Sequence, residues 1–258
     1  MTVVFVHGVP ETAELWDGVR AALRHPSEAL QLPGFASPAP AEFVGDKDAY
    51  VHHVLEQLAT IPGPIDLVGH DWGSLITARI ATAFGSRIRS WAADIGALWH
   101  RDYVWHDFAL LWQASPQGEE WVAQTMREQR SAESEGFFAV LGGLGVPDDH
   151  APGMREAFTE HMARSILGLY RSAAPNIDAD WNLASPVDLQ PQGLILQAAN
   201  DPFDDLERST EVARALGAGV ARLTGVGHFW MLQDPAGAAD VVSSWIDRVE
   251  AGLELPVR

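Results

Sequence analysis

Apolar residues fall along the chain in two alternating rhythms. Short, largely apolar runs at Val3–Val6, Ala29–Leu32, Ile65–Val68 and Ile88–Ile95 each stop within two residues of a glycine, as buried strands do. Helical spacing lies between them: Leu15, Trp16, Val19 and Leu23 after a candidate cap at Thr12, then Val51, Val54, Leu55 and Leu58. A further helix carries Leu75, Ile76, Ile80 and Phe84 from about Gly73. Strands and helices alternating through short turns predict a parallel sheet with right-handed crossovers, an α/β fold.

The rhythm changes at about Leu98. From there to Asn182 only helical patterns occur, in a stretch holding Trp99, Trp105, Trp112, Trp121 and Trp181. Alternation resumes with strands at Gly193–Ala199 and Val220–Leu223 and helices at Leu206–Leu216 and Ala236–Val249. The expected organisation is a core of 1–97 and 183–258 with a helical cap, 98–182, over the carboxyl edge of the sheet, where such sheets bind ligands.

Composition narrows the function. The 258 residues carry 17 basic and 35 acidic side chains, a formal charge of −18. Lys47 is the single lysine and no basic run appears, which argues against nucleic acid. The absence of cysteine excludes disulfides, Cys-ligated metals and a thiol nucleophile. Neither a metal nor a cofactor is expected. No run is long enough for a membrane span and no leader pattern is seen, so a cytoplasmic protein, monomeric or homodimeric, is expected.

The chemistry concentrates at strand ends. Gly69-His70-Asp71-Trp72-Gly73, between a predicted strand and a predicted helix, has the Gly-x-nucleophile-x-Gly form of a nucleophile elbow with Asp71 at its centre. His228 follows the last strand in Gly227-His228-Phe229, and Asp201 follows the preceding one in Asn200-Asp201-Pro202. The order Asp71, Asp201, His228 is that of nucleophile, orienting acid and base. Asp94, Asp204 and Asp205 are rival orienters. After the first strand, His7-Gly8-Val9-Pro10 places the Val9 N–H where, with that of Trp72, it can form an oxyanion hole.

These pieces resemble the α/β-hydrolase superfamily over most of the chain, and specifically its aspartate-nucleophile branch of epoxide hydrolases and haloalkane dehalogenases. The likeness begins at the family's third strand, so about six strands are expected, without the family's opening hairpin. It implies attack of Asp71 on a saturated carbon of a small apolar organic substrate. The resulting alkyl-enzyme ester is then hydrolysed by water that His228 activates.

For an epoxide, the resemblance assigns the protonation of the opening oxygen to cap tyrosines: Tyr170, in a Tyr-Arg pair with Arg171, and Tyr103. A halide needs N–H donors instead, with Trp72 and a cap tryptophan (Trp99, Trp105 or Trp112) as candidates. Fluoroacetate dehalogenases also use cap histidines, for which His100 and His106 are available. Phe229 and Trp230 complete the expected substrate contacts. An epoxide hydrolase giving vicinal diols is the leading expectation, a haloalkane or haloacid dehalogenase the alternative. A fold that binds a ligand without turning it over is the third reading.

Overall fold

Val3, Val4, Phe5 and Val6 are all buried in strand β1 (Thr2–Val6), a pattern that requires cover on both faces of the sheet. The computed structural model describes residues 1–130, 136–177, 179–181 and 191–253. Among these, β1 is joined by β2 (Ser27–Leu30), β3 (Ile65–Gly69), β4 (Ser90–Asp94), β5 (Gln192–Ala198) and β6 (Gly219–Leu223). The strands run parallel in the order β2-β1-β3-β4-β5-β6. The chain leaves β1 for β2 on one side and returns to lay β3 on the other. Their diverging exits open a crevice at the carboxyl ends of β1 and β3.

Helices α1 (Asp17–Ala22), α2 (Lys47–Thr60) and α3 (Trp72–Ala83) fall among the first four strands. Five more lie between β4 and β5: α4 (Asp107–Gln113), α5 (Gln117–Gln129), α6 (Phe137–Gly143), α7 (Ala151–Ala157) and α8 (Glu160–Ser172). No strand occurs among the described residues of this insertion. The expected junction at 182 and 183 lies outside the described residues. Helix α9 (Leu206–Ala215) follows β5, and α10 (Trp230–Gln233) and α11 (Pro235–Glu250) follow β6. No described helix is long and apolar enough to cross a membrane.

Two local readings shift. Thr12 makes no side-chain cap, and its segment opens as a 3₁₀ turn, Ala13–Trp16, before α1. Strand β2 lies two residues earlier than its apolar run, because the Leu32 N–H turns out of the sheet to the His7 imidazole, 3.1 Å away. As an edge strand, β2 tolerates the polar Ser27 and Glu28, which pair with Val3 and Val4.

The insertion is tied back to the core through the single lysine. Buried Lys47 donates to the Ser172 carbonyl at the end of α8 (2.7 Å) and to Asp180 (2.8 Å). The indole N–H of Trp181 donates to Asp48 (2.8 Å).

The crossing of β1 and α3 leaves no room at Gly73, where a Cβ would sit 2.1 Å from the Val6 carbonyl oxygen. Gly73→Ala is therefore expected to destabilise the fold by about 3 kcal/mol or more, lowering Tm by roughly 6–12 °C. Calorimetry with an unchanged Tm would contradict this packing.

Candidate active site

The crevice between β1 and β3 is where the two glycine-bounded turns meet. Asp71 sits at φ 50° and ψ −118°, a strained conformation for a non-glycine residue that throws its side chain up from the sheet. Gly8 lies directly against it: a Cβ there would come within 2.4 Å of Asp71 Oδ1. That close approach lets the Val9 N–H donate to Asp71 Oδ1 at 2.9 Å, while the Trp72 N–H at the start of α3 also favours the carboxylate. Burial raises the Asp71 pKa to about 6, against the pull of His228, so the side chain remains mostly ionised at neutral pH.

His228, buried after β6, holds Asp201 Oδ2 at 3.0 Å through Nδ1. Burial opposes its charged form, but the adjacent Asp201 outweighs this and raises its pKa. Asp201 is fixed in turn by the Phe203 N–H at 2.8 Å. The rival orienters are engaged elsewhere. Asp205 caps α9, and Asp204 accepts the Ala97 N–H at 3.1 Å. Asp94 accepts four donors: the Asp71 N–H (3.0 Å), Ser74 Oγ (2.6 Å), the Trp230 indole (2.7 Å) and His70 Nδ1 (2.5 Å). It braces the turn that carries Asp71 and does not reach His228 through a hydrogen bond.

His70 is a residue that the sequence pattern does not single out. Besides Asp94, it faces Glu11, whose Oε1 lies 3.1 Å from His70 Nε2. The other Glu11 oxygen accepts the Gly8 N–H at 2.8 Å. All three side chains are buried. Burial disfavours the imidazolium, yet the two carboxylates raise the His70 pKa well above its ordinary value. A carboxylate–imidazolium–carboxylate chain thus runs next to the Asp71 turn. No local rule flags it, because its members come from three separate strand ends.

Above Asp71 and His228 is a cavity of about 30 Å³, room for roughly two water molecules. Its walls are apolar and aromatic, from Phe108, Trp112, Phe137, Leu141, Tyr170, Phe203 and Phe229, with Val9, Pro10 and His106 at its sides. Trp72, Trp99, His100, Trp105 and Trp230 do not line it, against expectation. Trp99 packs on Trp91 of β4, His100 pairs with Glu211 at 3.3 Å, and Trp230 serves Asp94. The Trp105 ring stacks on Trp72, and its N–H is spent on the Ala173 carbonyl (3.2 Å). Phe108, Phe137, Leu141 and Phe203 are wall residues that sequence patterns do not single out.

Tyr170, from the last turn of α8, is wedged among Trp72, Trp105 and Trp112 at ring separations of 5.3, 5.3 and 4.7 Å. Burial, then the Asp71 charge, raises its pKa well above the ordinary value. Tyr103, packed on Trp105, shifts upward for the same two reasons. Both hydroxyls keep their protons, and Tyr170 lines the same cavity as Asp71.

Asp204 offers a test of these electrostatics away from the chemistry. Burial, with the charges of Asp201 and Asp94, raises its pKa from 3.8 to about 7. Between those values the folded state holds a proton that the unfolded state has lost, so this contribution to stability fades as pH rises from about 4 to 7. Asp204→Asn keeps the acceptor for Ala97 and is expected to stabilise the protein by up to about 4 kcal/mol at pH 8. The gain should vanish near pH 4. Melting curves with a gap independent of pH would refute it.

Residues 3–241 match the alpha/beta hydrolase family, and the chain belongs to that family. It is a hydrolase of the α/β type. No curated protein matches it in sequence. The haloalkane dehalogenase DbeA from Bradyrhizobium elkani USDA94 is similar in structure, at 18% identity and TM-score 0.73, covering 97% of this chain and 91% of that one. So is the Bacillus megaterium epoxide hydrolase, solved with an inhibitor (17% identity, TM-score 0.72, 95% and 93% covered). A thermophilic esterase from Thermogutta terrifontis, with malate bound, is similar at 16% identity, TM-score 0.68, and 96% and 90% coverage. At these identities the likeness is one of fold, and the three similar structures are of proteins named for different activities.

Proposed function

We propose that the chain is an epoxide hydrolase acting on small apolar epoxides through an ester on Asp71. The observation that carries this reading is the placement of Tyr170, which lines the cavity shared by Asp71 and His228; burial first, and then the Asp71 charge, keeps its hydroxyl and that of Tyr103 protonated. In the first step an Asp71 carboxylate oxygen attacks an epoxide carbon. The C–O bond breaks, and the oxygen takes a proton from Tyr170, with Tyr103 as the second donor. In the second step His228 removes a proton from water, and the hydroxide adds to the Asp71 carboxyl carbon. The Val9 and Trp72 N–H groups, already directed at this carboxylate, stabilise the oxyanion. Collapse releases the diol and restores Asp71, and the proton on His228 returns to the tyrosinate.

The cavity of about 30 Å³ favours substrates of a few non-hydrogen atoms. Its aromatic walls favour apolar ones.

Dehalogenation is the second reading, and one observation favours it. The indole N–H groups of Trp72 and Trp112 are buried without hydrogen-bond acceptors, as halide donors would be before a halide arrives. Incubation with epoxypropane and, separately, 1-chloropropane discriminates. The proposal expects diol from the first and no chloride from the second. Chloride release without diol formation would reverse the assignment, and no turnover of either would favour a binding role.

A further inference from the structure

The mechanism leaves Glu11 and His70 without a chemical part, although their side chains are wholly buried within the site. Their facing atoms, Glu11 Oε1 and His70 Nε2, are 3.1 Å apart but misaligned, so neither makes a hydrogen bond. A ligand atom of His228 joins them, and the three donors lie within 4.8 Å of one another. Tetrahedral zinc, with bonds of about 2.0–2.1 Å, needs its donors about 3.3 Å apart. One pair already meets this spacing, and the third needs a shift of about 1.5 Å at most.

The surroundings are those of a metal site as well. His70 Nδ1 is held by Asp94 at 2.5 Å and His228 Nδ1 by Asp201 at 3.0 Å. Each imidazole is thereby backed by a carboxylate and offers Nε2, the arrangement that orients histidine ligands of metals. Four buried carboxylates, Glu11, Asp71, Asp94 and Asp201, surround two imidazoles, leaving negative charge that favours a dication. On the far side of Pro10 lies a second cavity of about 190 Å³, with Glu11, Glu14, Asp149 and His150 in its wall. Its Glu11 and Glu14 carboxylates favour cations over anions beside the cluster.

We infer that Glu11, His70 and His228 form a binding site for a zinc-type transition-metal dication, and that its occupation halts ester hydrolysis. On binding, His70 loses its Nε2 proton to solvent and His228 gives its lone pair to the metal, so no base remains for water. The halting of hydrolysis rests on the ester mechanism proposed above; the binding site does not.

The test is calorimetric titration of the full chain with Zn²⁺. One equivalent per chain is expected, with affinity lowered at least about tenfold in Glu11→Gln and in His70→Gln. His52→Gln, an exposed histidine remote from the cluster, should leave it unchanged. No bound equivalent, or an unchanged affinity in Glu11→Gln, overturns the site. Should either variant fail to fold, the unaltered chain with Co²⁺ decides: intense visible bands of a four- or five-coordinate ion support the site, and the weak bands of hexaaqua cobalt reject it. Epoxide added to the Zn²⁺-loaded protein should leave ester on Asp71. Continued diol release at saturating Zn²⁺ would overturn the inhibitory part. Failure of the metal-free protein to open any epoxide would instead count against the functional proposal and leave the binding result standing.

Discussion

The His228→Gln protein is expected to stop after a single chemical event, gaining the mass of one whole epoxide per chain. Asp71 is already a carboxylate at neutral pH and needs no base to attack, so the first step proceeds. The second step needs a proton removed from water, and glutamine does not do this. Steady-state diol formation should fall by roughly 10²–10⁴-fold, while intact mass rises and peptide mapping assigns the added mass to Asp71. The introduced glutamine retains a hydrogen-bonding group near Asp201, so the fold should be preserved. An adduct lacking the elements of a hydrogen halide, formed from an alkyl halide, would transfer the same mechanism to dehalogenation. A variant with full turnover would remove His228 from the chemistry altogether.

Tyr170→Phe should impair the opposite step. The substitution keeps the ring that packs among Trp72, Trp105 and Trp112 and removes only the hydroxyl. Epoxide opening generates an alkoxide, and loss of its principal proton donor is expected to slow ester formation by roughly 10²–10⁴-fold. Pre-steady-state mass spectrometry separates the two variants: His228→Gln accumulates ester, and Tyr170→Phe barely forms it. Tyr103→Phe should have a smaller effect, since Tyr103 is half-buried and does not line the cavity. Undiminished ester formation in Tyr170→Phe would point to the indole donors of Trp72 and Trp112 instead.

Much of this architecture is legible in the sequence because strand ends and chemistry coincide. The runs at Val3–Val6 and Ile65–Val68 stop at glycines, and a parallel sheet brings the segments after them to one edge. That is enough to anticipate Asp71 beside Val9. It does not separate Asp201 from Asp94, since both follow strands and both reach a histidine. Only the third dimension shows that Asp94 takes His70 and Asp201 takes His228. Glu11 is invisible in the sequence for a related reason, being one acidic residue among 35 until folding carries it against His70. Trp99 and His100 depart from expectation because proximity to the start of the insertion says nothing about direction. Trp99 turns back onto Trp91 of β4, and His100 reaches Glu211 of α9 instead.

The most direct measurement is a single turnover in ¹⁸O-labelled water with enzyme in excess over epoxide. If Asp71 supplies the oxygen that enters the diol, the first diol carries no label. The ¹⁸O then appears in the Asp71 carboxylate, because water attacks the ester at its carbonyl carbon. If water instead attacks the epoxide directly, the first diol is labelled and the Asp71 peptide is not. That result would contradict the ester mechanism whatever the rate effects of the variants.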